Sequence, residues 1–358
     1  VAARLVALSG PNGAGKTNLL EALSLLAPGR GLRGASFDEL AHIGAPGSWA
    51  IAAEVATPLH DVKLGTGWSA AANEAGTPGR VVLIDGHLQK SSGALGDHMR
   101  ILWLTPAMDG LFAGPAGDRR RFMDRLVATF DPEHNSRVAV FEKVMRERNL
   151  LLQEMRADMV WMGSLEAQMA EAAVAIAAAR VTAIEALQKN IHDTRGESAF
   201  PHALIAIEGE IENLVRAMPA VRAEDEYRRL LADSRVADRA ANRTLRGTHR
   251  SDLSVTHGPK SMAAARCSTG EQKALLIGLI LAQARAVKTV ADVAPVLLLD
   301  EVAAHLDGAR REGLFAALEA LGSQAWMTGT DGHLFEGLGH HAQRFHVEAG
   351  TLVEMKRA

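Results

Sequence analysis

Eight consecutive residues near the start of the chain, Gly10-Pro11-Asn12-Gly13-Ala14-Gly15-Lys16-Thr17, constrain the fold more than any other stretch. Glycines at these positions let backbone N–H groups turn inward and wrap phosphate oxygens. Lys16 then reaches the outer phosphates as a point charge, and the Thr17 hydroxyl is available to Mg²⁺. The helix behind the loop adds the positive end of its dipole. Such a loop needs a buried strand before it and a helix after it. The apolar run Arg4–Ser9 supplies the strand. The helix is expected over about Asn18–Ala27, stopped by Pro28-Gly29, with Asn18 beside the bound nucleotide. The expected ligands are therefore ATP and Mg²⁺.

A second set of residues, far along the chain, completes that chemistry. Pro295 precedes the apolar run Val296–Asp300, followed by Glu301. An apolar strand ending in acid and facing a phosphate loop offers Asp300 as the Mg²⁺ partner, through water. Glu301 is then the general base, or the group that positions the attacking water. Ser268-Thr269-Gly270-Glu271-Gln272 opens a helix about thirty residues before that strand. It resembles the ABC signature, although Thr269 stands where that signature has glycine. In that class Ser268 and Gly270 approach the γ-phosphate of ATP held by a second subunit. A plain N-capped helix with Ser268 as its cap is the other reading. Ala304-His305-Leu306-Asp307 follows Glu301 as the D-loop follows in ABC-type ATPases.

Between these motifs the character of the chain changes. The stretch from Gly29 to about Gly96 is rich in glycine, proline and short alternating runs, with strands expected at Trp49–Val55 and Arg80–Ile84. Arg100–Thr105 is a further strand. From His134 to Asn190 glycine and proline nearly vanish, and two long helices broken near Gly163-Ser164 are expected to pack antiparallel. A strand at Ala203–Glu208 and a helix at about Ala223–Arg235 follow. The helix Leu275–Ala286, the helix Ala309–Leu321 and the strand Ala325–Thr328 restore the alternation of helices and strands. The expected fold is α/β, an ABC-type P-loop ATPase head with a mainly helical inserted lobe. Its parts are 1–125 with the P-loop, 126–246 as the insertion, and 247–358 with the signature, acidic strand and D-loop.

Composition removes several alternatives. The net charge of −3 means that any DNA contact comes from a local basic patch. The single cysteine, Cys267, excludes a disulfide framework and zinc modules of the excision-repair ATPase kind. The most apolar stretch, Ala274–Ala284, is far short of the roughly 20 residues that cross a bilayer. It reads as a buried helix, so no membrane partner is expected.

Four segments point to one family within the class. Gly10–Arg33, with Asn18-Leu19-Leu20-Glu21-Ala22 and Gly29-Arg30-Gly31-Leu32-Arg33, resembles the RecF recombination proteins. So do Arg119-Arg120-Arg121-Phe122-Met123-Asp124, Gly247-Thr248-His249-Arg250-Ser251-Asp252, and the run from Leu298 to Asp307 with Arg310 and Leu314 after it. The resemblance covers essentially the whole chain. It implies an ATP-driven homodimer on duplex DNA near single-strand gaps, working with RecO and RecR to help load RecA in gap repair and the SOS response. It also implies a cytoplasmic location and slow ATP turnover, with hydrolysis resetting a clamp. The family has strand sequence and an Arg-Asn-aromatic element ahead of the P-loop strand. This chain begins almost on that strand, which points to a truncated or mis-started N-terminus.

Two alternatives use the same nucleotide chemistry. An ABC transporter subunit would hold its signature much closer to the P-loop than Ser268 lies. An SMC-like chromosome protein needs sustained heptads over a very long arm, and the helices between His134 and Asn190 are too short for that. Two further features stay open in the sequence. Arg235, Arg239, Arg243, Arg246 and Arg250 would form one stripe on a continuous helix, for DNA phosphates or as a solvated face with local ion pairs, although Gly247 argues that the helix ends before Arg250. Arg119–Arg121 with Arg125 pose the same choice. No histidine follows the last strand at once, and His333 is either a late switch residue or a surface-loop histidine.

Overall fold

The computed structural model describes residues 1, 3–42, 44, 47–57, 60–69, 79–154, 158–196, 198–291 and 294–355. They form two compact units. The first comprises Val1–Asp109, Thr194–Pro201 and Thr269–Ala358; the second comprises Gly110–Asp193 and His202–Ser268. The segments Arg119–Asp124 and Gly247–Asp252 thus both belong to the second unit.

In chain order the first unit begins with β1 (Leu5–Ser9), α1 (Lys16–Ser24), β2 (Ser48–Ala56), β3 (Asp61–Ser69), β4 (Gly79–Ile84), β5 (His87–Leu88) and β6 (Ile101–Leu104). The second unit holds α2 (Ala116–Ala128), α3 (His134–Gln153), α4 (Met159–Asp193), β7 (Ala203–Glu208), α5 (Glu210–Ala217), α6 (Ala220–Ala241), β8 (Asp252–His257) and β9 (Met262–Ala263). The chain then returns through α7 (Thr269–Ala291), β10 (Val296–Leu299), α8 (Gly308–Leu321), β11 (Ala325–Gly329), β12 (Gln343–Glu348) and β13 (Thr351–Glu354).

The core of the first unit is a six-stranded sheet in the order β13-β12-β1-β11-β10-β6. All its ladders are parallel except the β12–β13 edge pair. Strands β1, β6 and β11 are buried at every residue, as their apolar sequences require in a parallel sheet covered on both faces. Strands β2 to β5 form a separate antiparallel sheet. From β4, Arg80 donates to the Gly29 carbonyl at 2.5 Å and to Ala27 at 3.2 Å, and also to Leu25. These carbonyls belong to the C-cap of α1 and to the turn that follows it. Burial lowers the Arg80 pKa to about 10.

In the second unit the helices pack around Phe141, Leu151, Met169, Ala173, Tyr227 and Leu231. The helical pair α3–α4 breaks before Asp158, not at Gly163-Ser164, which lie inside α4. Asp158 starts α4 by accepting the N–H groups of Val160 (2.8 Å) and Trp161 (3.1 Å). Two fully buried arginines cross-link the unit. Arg148 binds Glu166 (3.1 Å), Asp238 (2.8 Å) and the Thr244 hydroxyl (2.9 Å). Arg180 grips both oxygens of Asp124 at 2.8 and 2.9 Å and also Glu212 at 2.8 Å. Burial pushes the Asp124 carboxyl up, but the His134 hydrogen bond and the Arg180 charge outweigh it and hold the group below its usual value. Among the described residues no helix is long and apolar enough to cross a membrane.

Candidate nucleotide site

The loop between β1 and α1 has the backbone that its glycines predict. Gly10, Gly13 and Gly15 have φ of 149°, 81° and 105°. A Cβ on Gly10 would lie 2.2 Å from the Val347 carbonyl oxygen, so no larger residue fits without moving β12. The Gly350 N–H, in the β12–β13 turn, donates to the Ala14 carbonyl at 2.9 Å and buttresses the loop from outside. Pro11, Asn12, Gly13 and Asn18 are exposed, whereas Ala14 and Lys16 are buried. Lys16 Nζ lies inside the loop, donating to the carbonyls of Gly10 (2.6 Å) and Pro11 (2.9 Å).

Strand order brings the distant acid to this loop. β11 separates β1 from β10, so the ends of all three strands share one edge of the sheet. Asp300 follows the last residue of β10, and its N–H still bonds the Leu104 carbonyl at 2.8 Å. The Thr17 hydroxyl lies 3.1 and 3.2 Å from the two carboxylate oxygens of Asp300, although the residues are 283 apart in sequence. Thr328, at the end of β11, donates to Asp300 Oδ1 at 2.6 Å. A carboxylate only 6% exposed and held by hydroxyls, next to a phosphate-type loop, is a hard-oxygen donor set suited to Mg²⁺. The glycine cradle, the enclosed lysine and this hydroxyl–carboxylate pair fit a magnesium-bound nucleoside triphosphate.

Glu301 leaves the strand altogether. Its φ of 50° and ψ of 27° are left-handed, and it opens the 3-10 turn Val302–His305. Glu301 therefore stands outside the alternation of the strand. Its N–H donates to the Thr328 hydroxyl at 2.9 Å. Sequence reasoning does not find Thr328, because one threonine in an apolar strand carries no motif.

The remaining residues sit as follows. Ser268, Thr269 and Gly270 are exposed where α7 begins. In the D-loop segment, Asp307 caps α8 by accepting the Arg310 N–H at 2.8 Å, and the side chain of His305 lies outside the described residues. His333 is 80% exposed and pairs with Glu336, which raises its pKa, as does nearby Asp331. It lines a cavity of about 400 Å³ beside Gly10, with Ser9, Asp331, Arg344 and His346. The arginine stripe is not one helix face. α6 ends at Ala241, where Asn242 turns left-handed. Arg235 is committed to Glu166 (2.9 Å) and Arg246 to Glu210 (3.1 Å). Arg119 binds Asp252 (2.8 Å), and Arg120 binds the Ser251 carbonyl (2.8 Å). These contacts are internal to the second unit. Arg239, Arg243 and Arg250 are exposed.

Comparison with known proteins agrees with this architecture. Residues 1–351 match the family model of the RecF/RecN/SMC N-terminal domain. The DNA replication and repair protein RecF of Rhizobium johnstonii is 49% identical over 351 residues, covering 98% of this chain and 93% of that protein. The RecF of Brucella suis biovar 1 is 51% identical over 348 residues, covering 97% and 89%. A solved structure of the recombination mediator protein RecF-ATPrS in the RecFOR pathway superposes with a TM-score of 0.86 at 21% identity, covering 99% of this chain and 93% of that one. The chain has the ABC-type ATPase head fold and belongs to the RecF family of DNA replication and repair proteins.

Proposed function

We propose that this chain is an ATP-switched DNA-binding recombination mediator. It binds Mg²⁺–ATP in the Gly10–Thr17 loop, closes into a homodimer on duplex DNA at single-strand gaps, and works there with RecO and RecR to help load RecA. The observation that carries the reading is the meeting of Thr17 and Asp300. A half-buried hydroxyl and a buried carboxylate converge there on the point where a phosphate loop needs its metal.

The assigned roles follow from chemistry. Lys16 neutralises the outer phosphates and the loop N–H groups orient them. Thr17 and Asp300 would hold Mg²⁺, which would neutralise charge on the outer phosphates. Glu301 takes the proton of the water that attacks the γ-phosphorus as the bond to the β-phosphate oxygen breaks. The exposed helix start at Ser268–Gly270 is suited to a phosphate held by a second copy, because its N–H groups point outward from a helix dipole. Hydrolysis then opens the dimer, so slow turnover serves the switch. RecF relatives at about half identity supply the repair context.

Nucleotide binding and gel filtration of Lys16→Ala test the reading together. The variant is expected to remain folded, lose at least about tenfold in ATP affinity, a loss of about 1.4 kcal/mol, and stay monomeric with ATP and duplex DNA. Parental affinity in the folded variant would remove the P-loop assignment.

A further inference from the structure

We propose that Thr328 is a positioning residue that locks the two acids of the site to each other. The proposal rests on the reading of Asp300 and Glu301 given above. Its starting point is that Thr328 is fully buried, with 0% exposure, yet its hydroxyl is used twice. The hydroxyl proton goes to Asp300 Oδ1 at 2.6 Å. A lone pair of the same oxygen accepts the Glu301 N–H at 2.9 Å. A hydroxyl has one proton to give and can accept at the same time, so this atom serves consecutive residues in opposite senses.

Each bond answers a specific problem. Asp300 offers its carboxylate to Thr17 through both oxygens. A donor on Oδ1 fixes the carboxylate plane and keeps it aimed at the metal position, as outer hydrogen bonds do for metal-binding carboxylates. Glu301 has left-handed φ and ψ, a conformation that is strained for a non-glycine residue and persists only where the surroundings determine it. The bond from its N–H to Thr328 is such a determinant, and it sets the direction in which the Glu301 side chain leaves the backbone. Thr328 is itself fixed through its strand, because β11 lies between β1 and β10 and pairs with both. The strand carrying neither the phosphate loop nor the acids thereby sets their geometry relative to each other.

Valine at 328 keeps the shape and removes the hydroxyl, whereas serine keeps the hydroxyl. The experiment is steady-state ATP hydrolysis with Mg²⁺ titration for the parent, Thr328→Val, Thr328→Ser and Glu301→Gln, with ATP affinity and circular dichroism measured on each. In Thr328→Val, kcat is expected to fall about ten- to a hundredfold, the range typical of outer partners of metal ligands. Its ATP affinity should stay within about twofold of the parent, since the phosphate loop is untouched, while more Mg²⁺ is needed for half-maximal rate. Thr328→Ser should recover most of the loss. Parental kcat and Mg²⁺ dependence in Thr328→Val, beside an inactive Glu301→Gln, would overturn the positioning role and leave the nucleotide reading standing. Equal losses in the serine and valine variants would also overturn it, because the hydroxyl would then be irrelevant. A parent that binds no ATP and does not hydrolyse it would overturn both. If Thr328→Val does not fold, Thr328→Ala removes the same hydroxyl with less strain and is judged by the same outcomes.

Discussion

The two units hold their buried acids in opposite ways. In the helical unit the buried acids have guanidinium partners: Glu166 and Asp238 bind Arg148, and Glu212 and Asp124 bind Arg180. In the first unit Asp300 is equally sheltered, but its partners are the hydroxyls of Thr17 and Thr328. Lys16, the buried cation of the neighbouring loop, bonds carbonyl oxygens. Charge held by neutral dipoles is set up for a ligand, whereas charge neutralised by an arginine is committed to the fold. The arginine-rich segments follow the same division. Arg119 and Arg120 are used inside the second unit, which leaves exposed arginines such as Arg239 and Arg243 as the ones to test for DNA contact.

Stability separates the two regimes most strongly. Arg180→Ala leaves Asp124 and Glu212 buried without their guanidinium, and removing one partner of a buried pair costs about 3–5 kcal/mol. Chemical denaturation should show that loss, whereas Lys16→Ala should unfold near the parental midpoint. A parental midpoint for Arg180→Ala would break the contrast between the units.

Chemistry gives the next effect. Glu301→Gln removes the carboxylate and keeps the backbone bond to Thr328, so ATP should still bind while hydrolysis falls on the order of 10²–10⁴-fold. The variant is expected to accumulate an ATP-bound dimer on DNA. Hydrolysis at the parental rate would place the base elsewhere.

The smallest effect concerns DNA. Arg239 and Arg243 are exposed, and Arg239 also reaches the Glu154 carbonyl at 2.6 Å. Replacing both with Glu should weaken duplex binding and flatten its salt dependence by roughly 0.9 for each phosphate no longer neutralised. An unchanged slope would assign them to the solvated surface. Arg235→Glu differs in kind, because it meets Glu166 and should lower stability.

Much of this is readable from residues, for identifiable reasons. Strand β7 alternates Ala203, Ile205 and Ile207 inward against Leu204, Ala206 and Glu208 outward, and its bounds match the expected ones. The P-loop reads directly because glycine is required at each positive φ. Gly163 misleads about the α3–α4 break because it is a weak helix residue, yet packing along α4 tolerates it. The better signal is Asp158, a capping acid just before the apolar Met159-Val160-Trp161. The arginine periodicity likewise hides the left-handed turn at Asn242. The contacts of Glu21 and Thr328 are beyond sequence reasoning for a shared reason. Glu21 bonds the Arg33 N–H at 3.0 Å, and burial raises its pKa. Both residues act through partners that only the folded chain brings near.

The central claim is that Asp300, whose partners among the described residues are hydroxyls and not cationic side chains, is set to hold Mg²⁺. Equilibrium ATP binding with and without Mg²⁺, for the parent and for Asp300→Asn, tests it most directly. The parent should bind ATP more tightly when Mg²⁺ is added, and Asp300→Asn should lose most of that gain while its metal-free affinity changes little. An equal gain from Mg²⁺ in both proteins would contradict the account.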